Sequence, residues 1–406
     1  MIIVTVRRQK APKIRNRYGW VFADELVDIQ ADRDLGIANV FEENGGFLGK
    51  GLFLKGASKT VRMLTLRDEE IDEPFFLRRF RRALSVRTRI NPNVAYRLIN
   101  AESEGLPGLI VDRYGDYLVA QIRHPALEEK KPQIISALRA LYEGGIRGIF
   151  ERSDFESTPE YRLNRHSGVL WGEVPEETTV WVDGIAYLIR FKTGQKTGLF
   201  LDQQASRAKA RQLIRTYHLE GQPALDLFCY TGGFSFTMAQ EGMTTLGVDK
   251  SAPDIETAQR MAEINGLTGQ TGFIVDDVFS WLLNQTMEKP PLGKPYGLIV
   301  IDPPSLIKSQ QERPYGKRLL TELVRSVLPL LAPNGLICLC SCSYHLGWEE
   351  MIESVRRASA DCGKAVIVVD QNVQSPDHPW LLQMPETLYL KCLWMTVPVE
   401  GETERR

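Results

Sequence analysis

The chain has no Cys-x-x-Cys pair, so a structural zinc cluster has no ligand spacing to draw on. No apolar run reaches the length of a membrane-crossing helix, and the opening MIIVTVRRQK lacks the apolar core of an export signal. The expectation is a cytoplasmic protein, and six unpatterned cysteines in 406 residues suit a reducing compartment. Internal repeats and low-complexity linkers are also missing, which excludes solenoids and disordered arrays. Net charge is nearly absent at −1, but it is unevenly spread. Residues 1–100 carry 19 Lys and Arg against 12 Asp and Glu, whereas the remainder carries 31 against 39. The basic surplus concentrates in Arg78, Arg79, Arg81, Arg82, Arg87 and Arg89, interleaved with Phe75, Phe76, Phe80 and Leu84. Such a segment reads either as a helix laid along a phosphate backbone or as the solvated face of an amphipathic helix.

What is present divides into three stretches. Residues 1–70 read as short strands, KIRNRYGWVF, ELVDIQADRD, GIANVFEENGGFLGKGLFL and VRMLTL, with glycine-rich turns at Asn44 to Gly46 and Gly49 to Gly51; a small β-rich domain is expected. Residues 71–182 open with the Arg-rich helix and continue through strand-like GLIVDRYGDYLVAQIR, a helix near Pro132 to Tyr142 and a strand in GIRGIFERS, an α+β unit. From 183 to 406 strands alternate with helices, the pattern of a doubly wound, mostly parallel Rossmann-like sheet.

The chemistry concentrates in LICLCSCS, Leu336 to Ser343. Cys338, Cys340 and Cys342 alternate with Ile337, Leu339 and Ser341, so the run is a strand buried on both faces with its thiols on one of them. Cys338 and Cys340 read as small core residues. Cys342, flanked by Ser341 and Ser343, sits at the polar carboxyl end, where open α/β sheets bind ligands, and both a packing and a nucleophilic role fit it. A second buried strand, Gly297 to Ile301, is stopped by Pro303 and Pro304 immediately after Asp302. A thiol that can add to an electron-poor ring beside an acid that can protonate it is what chemistry on a pyrimidine carbon requires.

The segment from Pro223, PALDLFCYTGGFSFTMAQEG, reads as strand, glycine turn and helix, with Gly232 and Gly233 allowing close approach of a ligand. Asp249 ends the next strand, where an acid takes the hydroxyls of a ribose, and Asp276 and Asp277 end the one after it, placed to meet an adenine amino group. Ser251 is expected to cap the intervening helix, which Asn265-Gly266 ends. The turn is TGGF rather than GxGxxG, and no P-loop lysine follows. S-adenosylmethionine, which has no phosphate to cradle, is therefore the favoured cofactor.

These residues together resemble the ribosomal RNA cytosine-C5 methyltransferases of the three-domain, large-subunit type: a PUA domain, a central α+β domain and a methyltransferase domain. The resemblance rests on TGQKTGLFLDQ from Thr193, LDLFCYTGGFS from Leu225, GVDKS from Gly247, DDVF from Asp276, DPPS from Asp302, SCS from Ser341, DHP from Asp377 and PETLYLK from Pro385. Two departures stand out: Gln204 replaces the family's arginine after LDQ, and RPYGKRLL from Arg313 replaces its RGYK stretch. The resemblance implies that Asp226, Tyr230, Thr231, Gly232 and Gly233 surround the methionine end of S-adenosylmethionine, Asp249 the ribose and Asp277 the adenine. It further implies that Lys196, Thr197 and Phe200 close over the cofactor, with Cys342 as nucleophile and Asp302 as acid. The expected product is 5-methylcytosine in 23S ribosomal RNA, with Arg78, Arg79, Arg81 and Arg82 on the RNA, no metal and no membrane; a homodimer is compatible. The rivals are a uridine-C5 methyltransferase, an exocyclic-amine methyltransferase and a catalytically silent RNA-binding or ribosome-assembly factor. Ser305, not an aromatic, follows the prolines and speaks against the second of these. The base that takes the carbon-5 proton stays open among His345, Lys317 and His378.

Overall fold

The computed structural model describes residues 1–90, 95–154, 166–192, 198–285, 292–307 and 310–398. Its contacts divide them into two compact units. One comprises Met1–Asp183, Tyr187–Leu201 and Pro376–Thr387; the other comprises Gly184–Ala186, Asp202–Ser375 and the described residues from Leu388 onward.

In the first unit, β1 (Ile2–Val6), β2 (Trp20–Val21), β3 (Leu26–Ala31), β4 (Leu35–Glu42), β5 (Phe47–Leu54) and β6 (Val61–Thr65) form a sheet ordered β2-β6-β5-β4-β1-β3. Its neighbours are antiparallel except β1 and β4. The opening residues are thus an interior strand, with Ile2, Val4 and Val6 buried on one face. KIRNRYGWVF, expected as one strand, is instead helix α1 (Ala11–Arg15) followed by the two residues of β2. Pro12 within the first helical turn favours that start, and Ala11 and Ile14 are buried beneath it.

Helix α2 (Glu73–Ile90) follows, then a sheet of β7 (Ala95–Asn100), β8 (Leu109–Tyr114), β9 (Tyr117–Ile122), β10 (Gly148–Arg152) and β11 (Ser167–Gly172), ordered β11-β10-β9-β8-β7, with α3 (Pro125–Glu128) and α4 (Lys131–Tyr142) between β9 and β10. Strands β12 (Glu177–Val182) and β13 (Ile185–Arg190) pair separately. Phe75, Phe76, Phe80, Ala83 and Arg87 form the buried stripe of α2 at helical spacing. Arg87, counted in sequence among the basic surplus, is only 1% exposed. Its guanidinium donates to Glu104 Oε1 at 2.8 Å, to the Arg97 carbonyl at 2.9 Å and to the Asp377 carbonyl at 3.0 Å. Arg97 N–H donates to Asp377 Oδ2 at 2.9 Å, and the Arg97 side chain makes a two-point pair with Asp112. Segment Pro376–Thr387 is thereby held in the first unit by buried, charge-assisted bonds.

In the second unit, α5 (Gln204–Thr216), β14 (Pro223–Leu227), α6 (Gly233–Gln240), β15 (Thr244–Asp249), α7 (Ala252–Ile264), β16 (Thr271–Val275), α8 (Val278–Leu283), β17 (Tyr296–Ile301), α9 (Arg313–Val327), β18 (Leu331–Ser341), α10 (Trp348–Asp361), β19 (Ile367–Val373) and β20 (Lys391–Thr396) alternate in sequence up to the final pair. The sheet order is β16-β15-β14-β17-β18-β20-β19, parallel except for β20. The Rossmann-like reading of this stretch holds. Strand order reverses between β14 and β17, which opens a ligand crevice at their carboxyl ends. Ile299, Ile301, Ile337 and Leu339 pack under α8, α9 and α10, whereas Leu298, Val300, Cys338 and Cys340 pack under α5 and α6. No described helix is long and apolar enough to cross a membrane.

Arg87→Met keeps the side chain's length and removes its donors, depriving Glu104 and the Arg97 and Asp377 carbonyls of this partner. Stability in urea unfolding should fall by about 3 kcal/mol, the usual cost of breaking a buried ion pair. An unchanged midpoint would show that Arg87 contributes packing alone.

Candidate functional site

The site grows from the carboxyl ends of β14, β15, β17 and β18. Asp226, expected near the methionine end of the cofactor, lies beneath the turn after β14 and is 1% exposed. Its Oδ2 accepts from Ser235 N at 2.9 Å and Ser235 Oγ at 2.7 Å, tying the strand to the first turn of α6. Burial lifts this carboxyl to about 7 despite those bonds. Above it, Phe228, Tyr230 and Gly232 alternate in the left-handed region with φ of 62°, 52° and 83°. For the two aromatic residues this conformation is strained. It is held because Phe228 N and Cys229 N both donate to the Val248 carbonyl, while Tyr230 N donates to Asp249 Oδ2 at 3.0 Å. A Cβ on Gly232 would stand 3.0 Å from Phe236 and Phe273, so this position requires glycine for space as well as for φ.

Asp249 ends β15 with one backbone donor on each oxygen, Tyr230 N on Oδ2 and Ser251 N at 2.9 Å on Oδ1. Each oxygen keeps a further lone pair, so the carboxylate is oriented in advance to receive two vicinal hydroxyls. Ser251 is the N-cap residue of α7, but its side chain makes no capping bond; its N–H serves Asp249 instead. Asp277 is exposed and caps α8 by accepting from Ser280 N at 3.1 Å. Thr231 is buried in the same turn as Gly232 and Gly233. This donor set suits a nucleoside cofactor without phosphate. Phe200 is half-buried and belongs to the first unit, and Lys196 and Thr197 lie outside the described residues.

Asp302 follows β17, and its N–H reaches back to the Leu227 carbonyl. Its Oδ2 accepts from Gln203 Nε2 at 2.9 Å. Burial, with Cys392, Asp202 and Asp226 nearby, raises the carboxyl to about 8 against that bond. Strands β17 and β18 pair Val300 with Cys338 and Ile301 with Leu339, a register that sets Asp302 level with Cys340 and two residues short of Cys342. Cys338 and Cys340 are fully buried, their sulfurs 3.6 Å apart, and burial holds both thiols protonated. Cys342 is half-buried at the end of that same face. Lys391, which pairs with Ser341 across β20, donates Nζ to the Ser343 carbonyl at 3.2 Å and the Tyr389 carbonyl at 3.4 Å. Burial lowers its ammonium's affinity for the proton, and Cys342 acts in the opposite sense, which sets a cation in the field of that thiol.

The three base candidates separate. His378 is 1% exposed, with Nδ1 3.0 Å from Asp377 Oδ1 in the first unit. Lys317 lies 3.5 Å from Glu350 on α9. His345 is half-buried, three residues beyond Cys342, with its ring edge-on to Tyr344.

Reading the sequence missed Gln203, Lys391 and Arg207. Arg207 is 4% exposed on α5 with its Nη1 3.6 Å from where a Cβ on Gly233 would stand. It lies one helical turn beyond Gln204, on the same helix face. A lysine inside the apolar run LYLKCLWM was the available signal for Lys391.

On α2, Arg78, Arg81 and Arg82 are exposed, Arg78 pairing with Glu69. Arg79 departs from the expected RNA-facing role. Its guanidinium stacks over Phe75 and donates to the carbonyls of Leu64 and Glu104, and burial lowers it to about 10. It is a fastener between α2 and its neighbours. Arg7, Arg8, Lys10, Lys13, Arg15 and Arg17 form a second basic cluster around α1, in which Lys13 and Arg15 pair with the buried Glu25 and Glu42.

Asp249→Ala should weaken S-adenosylmethionine binding about tenfold or more in calorimetry, since a charge-assisted pair of hydrogen bonds is lost. Unchanged affinity would remove Asp249 from the site. Lys391→Met should slow iodoacetamide alkylation of Cys342 at neutral pH about threefold or more, and a rate equal to the parent's would show that the ammonium does not act on the thiol.

A family described as S-adenosylmethionine-dependent methyltransferase matches residues 115–381, and a PUA-like domain matches residues 4–66. Ribosomal RNA large subunit methyltransferase I of Pseudoalteromonas atlantica is 30% identical over 397 residues, covering 96% of this chain and 98% of that protein. The protein of the same name from Aeromonas hydrophila is 33% identical over 386 residues, covering 93% and 94%. A solved structure from Streptococcus mutans superposes with a TM-score of 0.81 at 22% identity, covering 98% of this chain and 100% of that one. A methyltransferase structure determined with SAH superposes at 0.82 with the same identity and coverage. At that identity the two structures speak to the fold.

Proposed function

Because this chain belongs to the S-adenosylmethionine-dependent methyltransferase family, we propose that it forms 5-methylcytosine in large-subunit ribosomal RNA through a covalent adduct of Cys342. The observation that carries this reading is the shared sheet face of Asp302 and Cys342 at the carboxyl ends of adjacent parallel strands. The names of the relatives supply the RNA, and the PUA-like domain agrees with it.

Carbon 5 of cytosine is too weak a nucleophile to be methylated directly. The Cys342 thiolate forms a bond to carbon 6, and the ring electrons displaced toward N3 are met by a proton from Asp302. A carboxyl raised to about 8 still holds that proton at neutral pH. The bound cofactor supplies an electrophilic methyl group on a sulfonium, which the enamine carbon 5 can take. Loss of the carbon-5 proton to a base, departure of the thiolate and return of the N3 proton to Asp302 restore the aromatic ring and the enzyme. The ammonium of Lys391 favours the thiolate both before attack and on departure.

The protonated state of Asp302 favours cytosine over uracil, since cytosine N3 accepts a hydrogen bond where uracil N3 carries a hydrogen. Amine methylation is disfavoured because Ser305, directly after the prolines, donates to the Ile307 carbonyl at 3.2 Å and offers no stacking surface. The basic groups around α1 and on the exposed side of α2 are the proposed RNA contacts.

Cys342→Ala should abolish methyl transfer to RNA while leaving cofactor affinity intact. Cys338→Ala and Cys340→Ala should keep it and lose roughly 1 to 2 kcal/mol of stability through small cavities. RNA carrying 5-fluorocytidine should trap an adduct, because fluorine cannot leave as a proton, and the adduct should map to the Cys342 peptide. Activity should fall as pH rises through about 8, where Asp302 loses its proton. Full activity of Cys342→Ala would sink the covalent mechanism. Binding to RNA should weaken steeply with salt, and deletion of residues 1–70 together with neutralisation of Arg78, Arg81 and Arg82 should reduce it; undiminished binding would return that face to ordinary solvated surface.

A further inference from the structure

A chain of hydrogen bonds ends on Asp302. It begins at Trp394, whose indole N–H can only donate and does so to Asn372 Oδ1 at 2.8 Å. That fixes the Asn372 amide, whose Nδ2 donates to Ser206 Oγ at 2.9 Å. Ser206 Oγ lies in turn within hydrogen-bond reach of Cys392 Sγ, at 3.2 Å. Cys392, which also receives from Cys340 at 3.3 Å, passes its S–H to Gln203 Oε1 at 3.7 Å. The Gln203 amide is therefore oriented with Nε2 toward Asp302 Oδ2, at 2.9 Å. Trp394, Ser206 and Cys392 are fully buried, Asn372 is half-buried and Gln203 is 3% exposed, so the part of the chain next to Asp302 is shielded from water.

We propose that Gln203 is a positioning residue for methyl transfer: by permanently filling Oδ2 of Asp302 it leaves Oδ1 as the oxygen that carries the proton to the ring nitrogen, so the site selects a pyrimidine whose N3 accepts. This rests on the cytosine-C5 reading and assigns its base selectivity to an amide one shell away from the substrate. The groups facing Asp302 make the role necessary. Burial, with Asp202 next to Gln203 and Asp226 at β14, disfavours its ionised form, and the Gln203 amide opposes them. Without that donor the carboxyl can turn and share its proton between both oxygens, and a pyrimidine N3–H meets an acceptor as often as a pyrimidine lone pair meets a donor.

The test uses the full chain with aspartate labelled with carbon-13 at the side-chain carboxyl, with Asp302→Asn identifying the resonance. Its titration is followed in the parent, in Gln203→Met and in the isosteric Gln203→Glu, which replaces the donor while keeping the shape. In Gln203→Met the Asp302 titration should move up by at least about half a pH unit, because a bond that favours the ionised form is gone. Both variants should lose about tenfold or more in kcat for cytidine methylation, with S-adenosylmethionine affinity within about twofold of the parent. Discrimination against the same RNA bearing uridine at the methylated position should shrink in parallel. Should Gln203→Met fail to fold, the Glu variant carries the test. An Asp302 titration and a kcat unchanged in the folded variants overturn the assignment of Gln203 alone. A parent enzyme that yields 5-methyluridine overturns the cytosine reading and the selectivity drawn from it, whatever the titration shows.

Discussion

Everything at this site follows from the parallel register of β17 and β18. Two strands buried on both faces must alternate their side chains between two helix layers, and the pairing of Ile301 with Leu339 decides which residues emerge together. With that register, Val300, Asp302, Cys338, Cys340 and Cys342 belong to the layer covered by α5. A slip of one residue would send Asp302 and Cys342 to opposite faces. The register is protected by the apolar cost of exposing Ile299, Ile337 and their neighbours under α8 to α10, which is a far larger penalty than any polar contact at the strand ends. Catalytic geometry is therefore a by-product of core packing.

Charge then distinguishes two positions that topology makes equivalent. Asp202 and Asp226 both discourage ionisation at Asp302, which has one neutral donor on it where Asp226 has two donors from Ser235. Asp302 is pushed higher as a result. Asp249, by contrast, receives two backbone N–H groups at a half-exposed strand end, an arrangement that suits a fixed acceptor of hydroxyls. Lys391, buried beside the end of the thiol strand, is a cation in the field of Cys342. The proposed acid and the proposed nucleophile thus stand on adjacent strands of one sheet.

Strand alternation in LICLCSCS and the double-proline stop after Asp302 were readable because burial on both faces and the missing proline N–H act locally. The same holds for the glycine turn and for Asp249, whose places are set by strand ends. What could not be read were the residues whose partners lie far off in sequence. Gln203 meets Cys392 and Asp302 only after the sheet is assembled, and Lys391 meets the Ser343 carbonyl across β18 and β20. Arg79 and Arg87 looked like surface charge because their neighbours in sequence are charged; they lie on the packed side of α2, where backbone carbonyls await a donor. The period of β1 is legible too, in the alternation of Ile2, Val4 and Val6.

The inward-facing arginines limit how the first unit could engage a polyanion. A salt-dependent attraction scales with the number of phosphates actually neutralised, not with formal charge. With Arg7, Arg79 and Arg87 donating to carbonyls, and Lys13, Arg15 and Arg78 paired with carboxylates, the exposed groups proposed to contact phosphate are dispersed, among them Arg81 and Arg82 on α2 and Arg8 and Arg17 around α1. Dispersed contacts of this kind place a ligand without reading its bases, since phosphate bonds set orientation and carry no sequence information. On the proposed reading, choice of base resides at the sheet edge, where Gln203 already occupies one oxygen of the Asp302 carboxyl.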